Sequence, residues 1–222
     1  MEKLPAYKAN RAATPDEFRA HISFLHDLVV AFGISQFERE GYEADDILAT
    51  LATQAEKEDM EVIICSGDRD TFQLATEKTT ILYPKRGVSE LTRMTPAAIF
   101  EKYGMTPANY PDFAALRGDP SDNLPSVPGV GEKTAAKWIT EYGSLTNLVA
   151  KVDQITGKVG ESLRANLASV LLNRELTQLH RDLSIETTVA ELEWKGANTL
   201  ELNALLDLLE IRALKDRAKA LT

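Results

Sequence analysis

One apolar run, Glu61-Val62-Ile63-Ile64-Cys65-Ser66, constrains the architecture more than any other segment of this chain. It is near-continuously apolar and rich in β-branched residues, the pattern of a central strand covered on both faces of a parallel sheet. Before it, Ala44 to Lys57 carries Ile47, Leu48, Leu51 and Ala55 on one helical face. After it, Gly67-Asp68 ends the run, Thr71 to Leu74 begins a helical turn, and Thr80-Ile81-Leu82-Tyr83 reads as the next strand. Helix, strand, helix, strand is the cadence of an α/β sheet with crossovers. Ligands of such sheets bind beyond the carboxyl ends of the strands. Asp68 and Asp70 stand at one such end.

Upstream, Thr14-Pro15-Asp16-Glu17 predicts a helix start, with Thr14 as cap, proline at the first position and acids in the first turn. Phe18, Ile22, Leu25, Leu28 and Val29 supply its apolar stripe, and Gly33 its end. Ile34 to Phe37 reads as a short strand. Beyond Thr95 the chain changes character, with helices expected over 96–103, 107–117, 131–142, 144–151, 160–180 and 198–208, and a strand-like stretch only at Leu183 to Thr187. The expected division is therefore an α/β part over 1–95, with a basic segment at 1–15, and a helical part over 96–222. His21, His26 and His180 fall in expected helices and read as structural or exposed.

Three short groups of acids are the chemistry of the chain: Glu43, Asp45 and Asp46 in GYEADD, Asp68 and Asp70 in SGDRD, and Asp119 and Asp122 in RGDPSDN. Each has a plain reading. Acids at a helix start complement its dipole, Asp suits the turn after a strand, and Asp-Pro-Ser-Asp-Asn is a turn-rich run. Carboxylates that converge repel one another unless hard cations sit among them. All-oxygen ligands with no His or Cys among them favour Mg²⁺ or Mn²⁺ over zinc.

The last group runs into Leu124-Pro-Ser-Val-Pro-Gly-Val-Gly-Glu-Lys-Thr-Ala-Ala-Lys, a glycine corner between two helices. Gly129 and Gly131 permit backbone conformations and close approaches that a side chain would block. Gly131 opens the following helix, whose first N–H groups are then free for phosphate. Lys133 and Lys137 add charge on one face. A plain helical hairpin is the competing reading.

The 222 residues carry a net charge of −9, which disfavours coating nucleic acid by bulk charge. It leaves a nuclease open, because a metal site concentrates acid that bound ions neutralise. Cys65 is the single cysteine, so no internal disulfide forms. The start MEKLPAYKANR lacks the apolar core of a signal peptide, and no apolar run approaches membrane-spanning length, so a cytoplasmic protein is the expectation.

GYEADD, SGDRD and GDPSDNLPSVPGVGEKTA, in this order, resemble the 5′-nuclease (flap endonuclease) family, and most closely the 5′→3′ exonuclease domain of bacterial DNA polymerase I. Tyr7-Lys8-Ala9-Asn10-Arg11 resembles the basic segment that opens the family's helical arch. The resemblance covers nearly the whole chain. It implies a central parallel sheet flanked by helices (a PIN-like core), followed by a helical part with a helix–three-turn–helix DNA-binding motif at 117–142.

It also implies roles. Glu43, Asp45 and Asp68 match carboxylates that hold the more catalytic metal, directly or through water. Asp70, Asp119 and Asp122 match ligands nearer a second metal, and Asp46 is an added acid. Lys8 and Arg11 match catalytic basic residues that grip the scissile phosphate, with Tyr7 beside them on DNA. Ser126, Gly129, Val130, Gly131, Lys133, Thr134 and Lys137 match the hairpin that holds duplex DNA, where relatives also bind K⁺.

The implied activity is Mg²⁺- or Mn²⁺-dependent hydrolysis of DNA phosphodiesters as a 5′→3′ exonuclease or 5′-flap endonuclease in replication and repair. Its DNA partner would be a duplex with a 5′ end or flap, chosen by structure and not sequence, and the protein a monomer. One departure is notable. The family pattern begins with a strand carrying an aspartate ligand, with a second aspartate before the arch, and this sequence starts at the arch. The expectation is a fragment, a displaced start or a degenerate relative, with a catalytically impaired DNA-binding piece as the alternative function. A Mg²⁺ phosphatase on an α/β sheet fits less well, because it leaves the hairpin unexplained.

Overall fold

The computed structural model describes residues 4, 6–9 and 13–219. Its contacts divide them into two compact units. The first takes Glu43–Leu183 with the described residues of 1–11, and the second the described residues of 12–42 and of 184–222. The boundary expected near residue 95 lies inside the first unit.

In the first unit, helix α2 (Ala44–Lys57) forms where its periodicity predicts. Glu43 caps it, and the Glu43 N–H donates to Asp46 Oδ2 at 3.1 Å in a reciprocal capping box. Ile47, Ala49, Ala52 and Ala55 are buried. Small residues let the helix lie close to strand β1 (Val62–Cys65).

Strand β1 pairs in parallel with β2 (Thr79–Arg86), from Val62 opposite Thr79 to Cys65 opposite Leu82. Strand β3 (Glu90–Met94) then folds back antiparallel on β2, with a register shift between Pro84 and Arg86. The sheet is therefore mixed, and β1 lies at the edge of its described strands, not at the centre as expected. Burial alternates accordingly: Ile64 is 3% exposed, and Ile63 is 61% exposed.

The helical elements of this unit are α3 (Pro96–Tyr103), α4 (Tyr110–Arg117), α5 (Glu132–Tyr142), α6 (Leu145–Ala150), α7 (Gly157–Ala165) and α8 (Leu167–Thr177). Thr95 caps α3, its hydroxyl accepting from the Ala98 N–H at 3.2 Å, and Pro96 follows at the first position. The helix expected over 107–117 begins as a 3₁₀ turn, Pro107–Asn109, before α4. The single helix expected over 160–180 is two, broken at Asn166, and His180 lies beyond the second. Leu183 to Thr187 forms no strand.

Phe72, Tyr103, Tyr110 and Phe113 pack as an aromatic cluster at the centre of this unit. Phe72 meets Tyr110 and Tyr83 edge-to-face, both at 5.3 Å between ring centroids. Because Phe72 is wholly buried two residues after Asp70, it nails the acid-bearing turn to the core.

The second unit comprises α1 (Asp16–Ala31), a 3₁₀ turn at Val189–Leu192, α9 (Thr199–Leu208) and α10 (Arg212–Lys219). Helix α1 starts one residue later than expected, with Pro15 at the cap position and no side-chain cap. Its stripe is mostly uncovered. Leu28 and Ala31 pack with Leu202, Leu206 and Ala218, whereas Phe18, Ile22 and Leu25 are exposed. Ile34 to Phe37 is irregular chain, not a strand. Trp194 donates its indole N–H to the Phe32 carbonyl at 2.7 Å, which ties the two sequence-distant halves of this unit together.

Candidate metal and phosphate site

The β1-to-β2 crossover carries the first part of the site. Asp68, three residues beyond the end of β1, caps the 3₁₀ turn Arg69–Leu74, its carboxylate accepting from the Asp70 N–H at 2.8 Å. Thr71 donates its hydroxyl to the Asp68 carbonyl at 2.6 Å. Buried Gln73 donates to the carbonyls of Asp70 and Thr177, both at 2.8 Å. Its carbonyl oxygen accepts from Leu179 N–H at 3.1 Å and from Gln178 at 3.0 Å. All four capacities of one amide are used, so the turn holding Asp70 has little freedom.

The second part follows α4. Gly118 adopts φ +70°, ψ 172°, a conformation open essentially to glycine alone. A Cβ there would stand 2.6 Å from the Ser126 nitrogen and 2.7 Å from its Cα. This approach lays the Asp119 loop against the start of the hairpin. Asp119 Oδ1 accepts from the Ser121 N–H at 2.9 Å and hydroxyl at 2.6 Å, and Arg117 lies 3.4 Å from its other oxygen.

The amino-terminal segment docks on this loop. Asn123 donates to the Ala6 carbonyl at 2.7 Å, and the Lys8 N–H to the Asp122 carbonyl at 3.0 Å. Lys8 is held at φ +58°, an uncommon value for a residue with a side chain. Its ammonium lies 2.5 Å from both oxygens of Glu43 and 3.9 Å from Asp122. The Tyr7 hydroxyl, raised further above its ordinary range by burial and then by Glu43 and Asp122, stays protonated and donates to Asp122 at 3.3 Å.

The electrostatics link the three acid groups. The Asp70 carboxyl is pushed up to about 8, first by burial, then by Asp68, with Asp119 and Asp122 adding and Arg117 opposing. Asp45 is pushed up to about 6 by burial, Asp68 and Glu43, with Lys8 opposing. Asp46 adds to the shift of Asp45, so all seven expected acids form one interacting set: Glu43, Asp45, Asp46, Asp68, Asp70, Asp119 and Asp122.

Asp46 stands apart in use. It is buried, and both its oxygens accept from backbone, Oδ2 from Glu43 and Oδ1 from His180 at 2.9 Å. These bonds cap α2 and tether the chain at His180. Arg11 lies outside the described residues.

The acid set fits hydrated divalent cations. The donors are all hard oxygens, and the mutual repulsion that raises Asp45 and Asp70 is what a cation relieves. Among the described residues, no three His, Cys, Asp or Glu side chains close on one point. An ion held here would therefore keep much of its water shell, as Mg²⁺ commonly does.

Beside the acids lies a cavity of about 490 Å³, lined by Gly67, Asp68, Arg69, Tyr83, Arg117, Gly118, Asp119, Pro120 and Ser121. Arg69 and Arg117 were not singled out by sequence reasoning. The signal was present, since each lies inside an acid motif, SGDRD or RGDPSDN.

The hairpin leaves its expected groups accessible. Gly129 takes φ +81°, and Gly131 caps α5 in ordinary extended backbone. Ser126, Gly129, Gly131, Lys133 and Lys137 are exposed, Thr134 is half-buried, and Val130 is buried in the core. Val130 can therefore meet a ligand only through its backbone. The Ser162 hydroxyl braces the turn by donating to the Pro128 carbonyl at 2.8 Å. Among the described residues, no helix is long and apolar enough to cross a membrane.

Two family models match consecutive stretches. The 5′-3′ exonuclease N-terminal resolvase-like domain covers residues 1–104, and the 5′-3′ exonuclease C-terminal SAM fold covers residues 105–200. DNA polymerase I of Mycobacterium tuberculosis (strain ATCC 25618 / H37Rv) is 57% identical over 98% of this chain, and that of Bacillus subtilis (strain 168) is 41% identical over 95%. The chain spans only 24% of each of those proteins. T5 5′-exonuclease with bound divalent metal ions (zinc) has a similar fold, with a TM-score of 0.68, 24% identity, and coverage of 95% of this chain and 78% of the other. The catalytic core of Rad2 in complex with DNA substrate gives 0.58, 18% identity, and coverage of 88% and 66%.

Proposed function

We propose a function that proceeds from one premise: the chain belongs to the 5′-3′ exonuclease family. It hydrolyses phosphodiester bonds of DNA near 5′ ends or flaps, using divalent cations held by Glu43, Asp45, Asp68, Asp70, Asp119 and Asp122. The observation that supports this reading is the electrostatic linkage of acids from three sequence-distant groups. Mg²⁺ or Mn²⁺ bound there would neutralise phosphate charge and activate water.

The chain's own groups do the positioning. The Lys8 ammonium sits at the acid set and can turn from Glu43 to a phosphate oxygen, stabilising charge that grows in the transition state. Exposed Lys133 and Lys137, with the free N–H groups at the start of α5, hold the duplex backbone. Such contacts read no base edges, so selection is by DNA structure and weakens with salt. The proposal includes K⁺ at the hairpin, action as a monomer in the cytoplasm, and a place in replication and repair; these rest on the family resemblance.

The test is cleavage of a 5′-flap duplex after chelation and Mg²⁺ add-back. Incision near the flap junction supports the proposal, and Mg²⁺-independent or absent incision contradicts it. A second reading, a DNA-binding piece with impaired catalysis, is favoured by the lack, among the described residues, of three such side chains closing on one point. It predicts flap binding with no incision at any Mg²⁺ concentration.

A further inference from the structure

Arg69 has no part in the acid set, yet it forms one wall of the cavity beside it. It follows Asp68 directly, and the buried turn that fixes Asp70 fixes its backbone too. Its guanidinium is loosely held. Nε lies 3.5 Å from the Tyr83 hydroxyl, and Nη1 lies 3.8 Å from Glu132. Its side chain is 41% exposed, and no other polar partner meets it among the described residues. Arg117 differs: it is 14% exposed and engaged with the Gly118 carbonyl, the Tyr110 hydroxyl and Asp119. Arg117 therefore holds the loop, and Arg69 is the cation of the cavity with donors to spare.

Arg69 also bridges two parts of the site. Its ionic partner among the described residues, Glu132, is the first residue of α5, directly after the glycine corner. A strand passing from the hairpin towards the acids would meet Arg69 before reaching Asp68. A planar guanidinium with free N–H groups matches two oxygens of a phosphodiester, which would displace the weak contact to Glu132.

We propose that Arg69 is a phosphate-binding residue that seats a phosphodiester of the nucleic-acid strand in this cavity, next to the one held by the acid set. This rests on the nuclease reading above, and concerns positioning of the strand. Bond breaking stays with the acid set.

The test uses the full chain with Arg69→Gln and Arg69→Lys, and a fluorescent 5′-flap duplex. Binding is measured against salt in Ca²⁺, and cleavage in Mg²⁺. Arg69→Gln should raise KM about tenfold with a smaller loss in kcat, and reduce the slope of log affinity against log salt by about 1. Arg69→Lys should restore the slope but only part of KM, since an ammonium keeps the charge and loses the fork. An unchanged slope and KM in Arg69→Gln, at any thermal stability, overturns the proposal. If the wild-type chain binds flap DNA but does not cut it, the nuclease reading fails while the salt slope still decides the role of Arg69. A chain that binds no flap DNA overturns both.

Discussion

The Lys8 ammonium lies 2.5 Å from both carboxylate oxygens of Glu43, a residue thirty-five positions away that opens helix α2. This contact holds a cation at the edge of an acid set whose members otherwise repel one another. Lys8 therefore has two opposed effects. On the proposed function it would neutralise phosphate when DNA is bound, and compete with divalent ions when DNA is absent. Lys8→Ala should lower single-turnover cleavage on the order of 100-fold, the usual cost of one lost transition-state charge contact. The same variant should bind Mg²⁺ more tightly without DNA, as measured by calorimetry. Weaker ion binding would contradict this account of Lys8.

Asp70 should make stability fall as pH rises when divalent ions are chelated. Burial, and then Asp68, push its carboxyl up to about 8 in the fold from its ordinary value of 3.8. Between those values the folded state holds a proton that the unfolded state has released, so raising pH favours unfolding. Asp70→Asn removes this term. In chelator, the wild type should lose more stability between pH 5 and pH 8 than Asp70→Asn, and Mg²⁺ should restore the wild type at pH 8. Equal pH slopes in denaturant titrations would refute it.

Gln73→Leu should destabilise the chain by about 3 kcal/mol, because it strands the buried carbonyl of Thr177 and the half-buried carbonyl of Asp70 and N–H of Leu179. Chemical denaturation gives the value directly. A change under about 1 kcal/mol would show that the network is not needed to hold the Asp70 turn.

Gly118→Ala should cost at least about 2 kcal/mol, since its backbone conformation excludes side chains and the new Cβ would collide with Ser126 backbone. Cleavage should fall beyond the loss in folded fraction, because relief of the clash moves Asp119. A variant as stable and active as wild type would contradict the tight crossing.

Local signals were legible in the sequence wherever neighbours in the chain decide the structure. Helix α3 carries its cap, its first proline and its closing glycine within ten residues, and its bounds match the expectation. Helix α2 does the same through its acids. The misses arise where distant packing decides. Ile34 to Phe37 has strand composition, but among the described residues no strand pairs with it. Glu90–Met94 mixes charge with apolar residues, and becomes a strand because β2 offers an edge to pair with. The stripe Phe18, Ile22 and Leu25 has helical spacing, but the cluster on α9 and α10 covers only the end of α1.

The site shows the same split. That Asp68 and Asp70 follow the carboxyl end of β1 could be read from the apolar run before them. That Asp46 is spent on the backbone of Glu43 and His180 could not, because His180 is 134 residues away.

The central claim is that the linked acids serve one divalent-metal hydrolysis of a 5′-flap strand. The most direct measurement compares wild type with Asp68→Asn, because Asp68 raises both Asp45 and Asp70. Initial rates on a 5′-flap duplex are followed across a Mg²⁺ titration. The account predicts Mg²⁺-dependent incision by wild type and a loss of at least about 100-fold in Asp68→Asn, with flap binding in Ca²⁺ retained. Equal incision by the two proteins, or none above background by either, would contradict it.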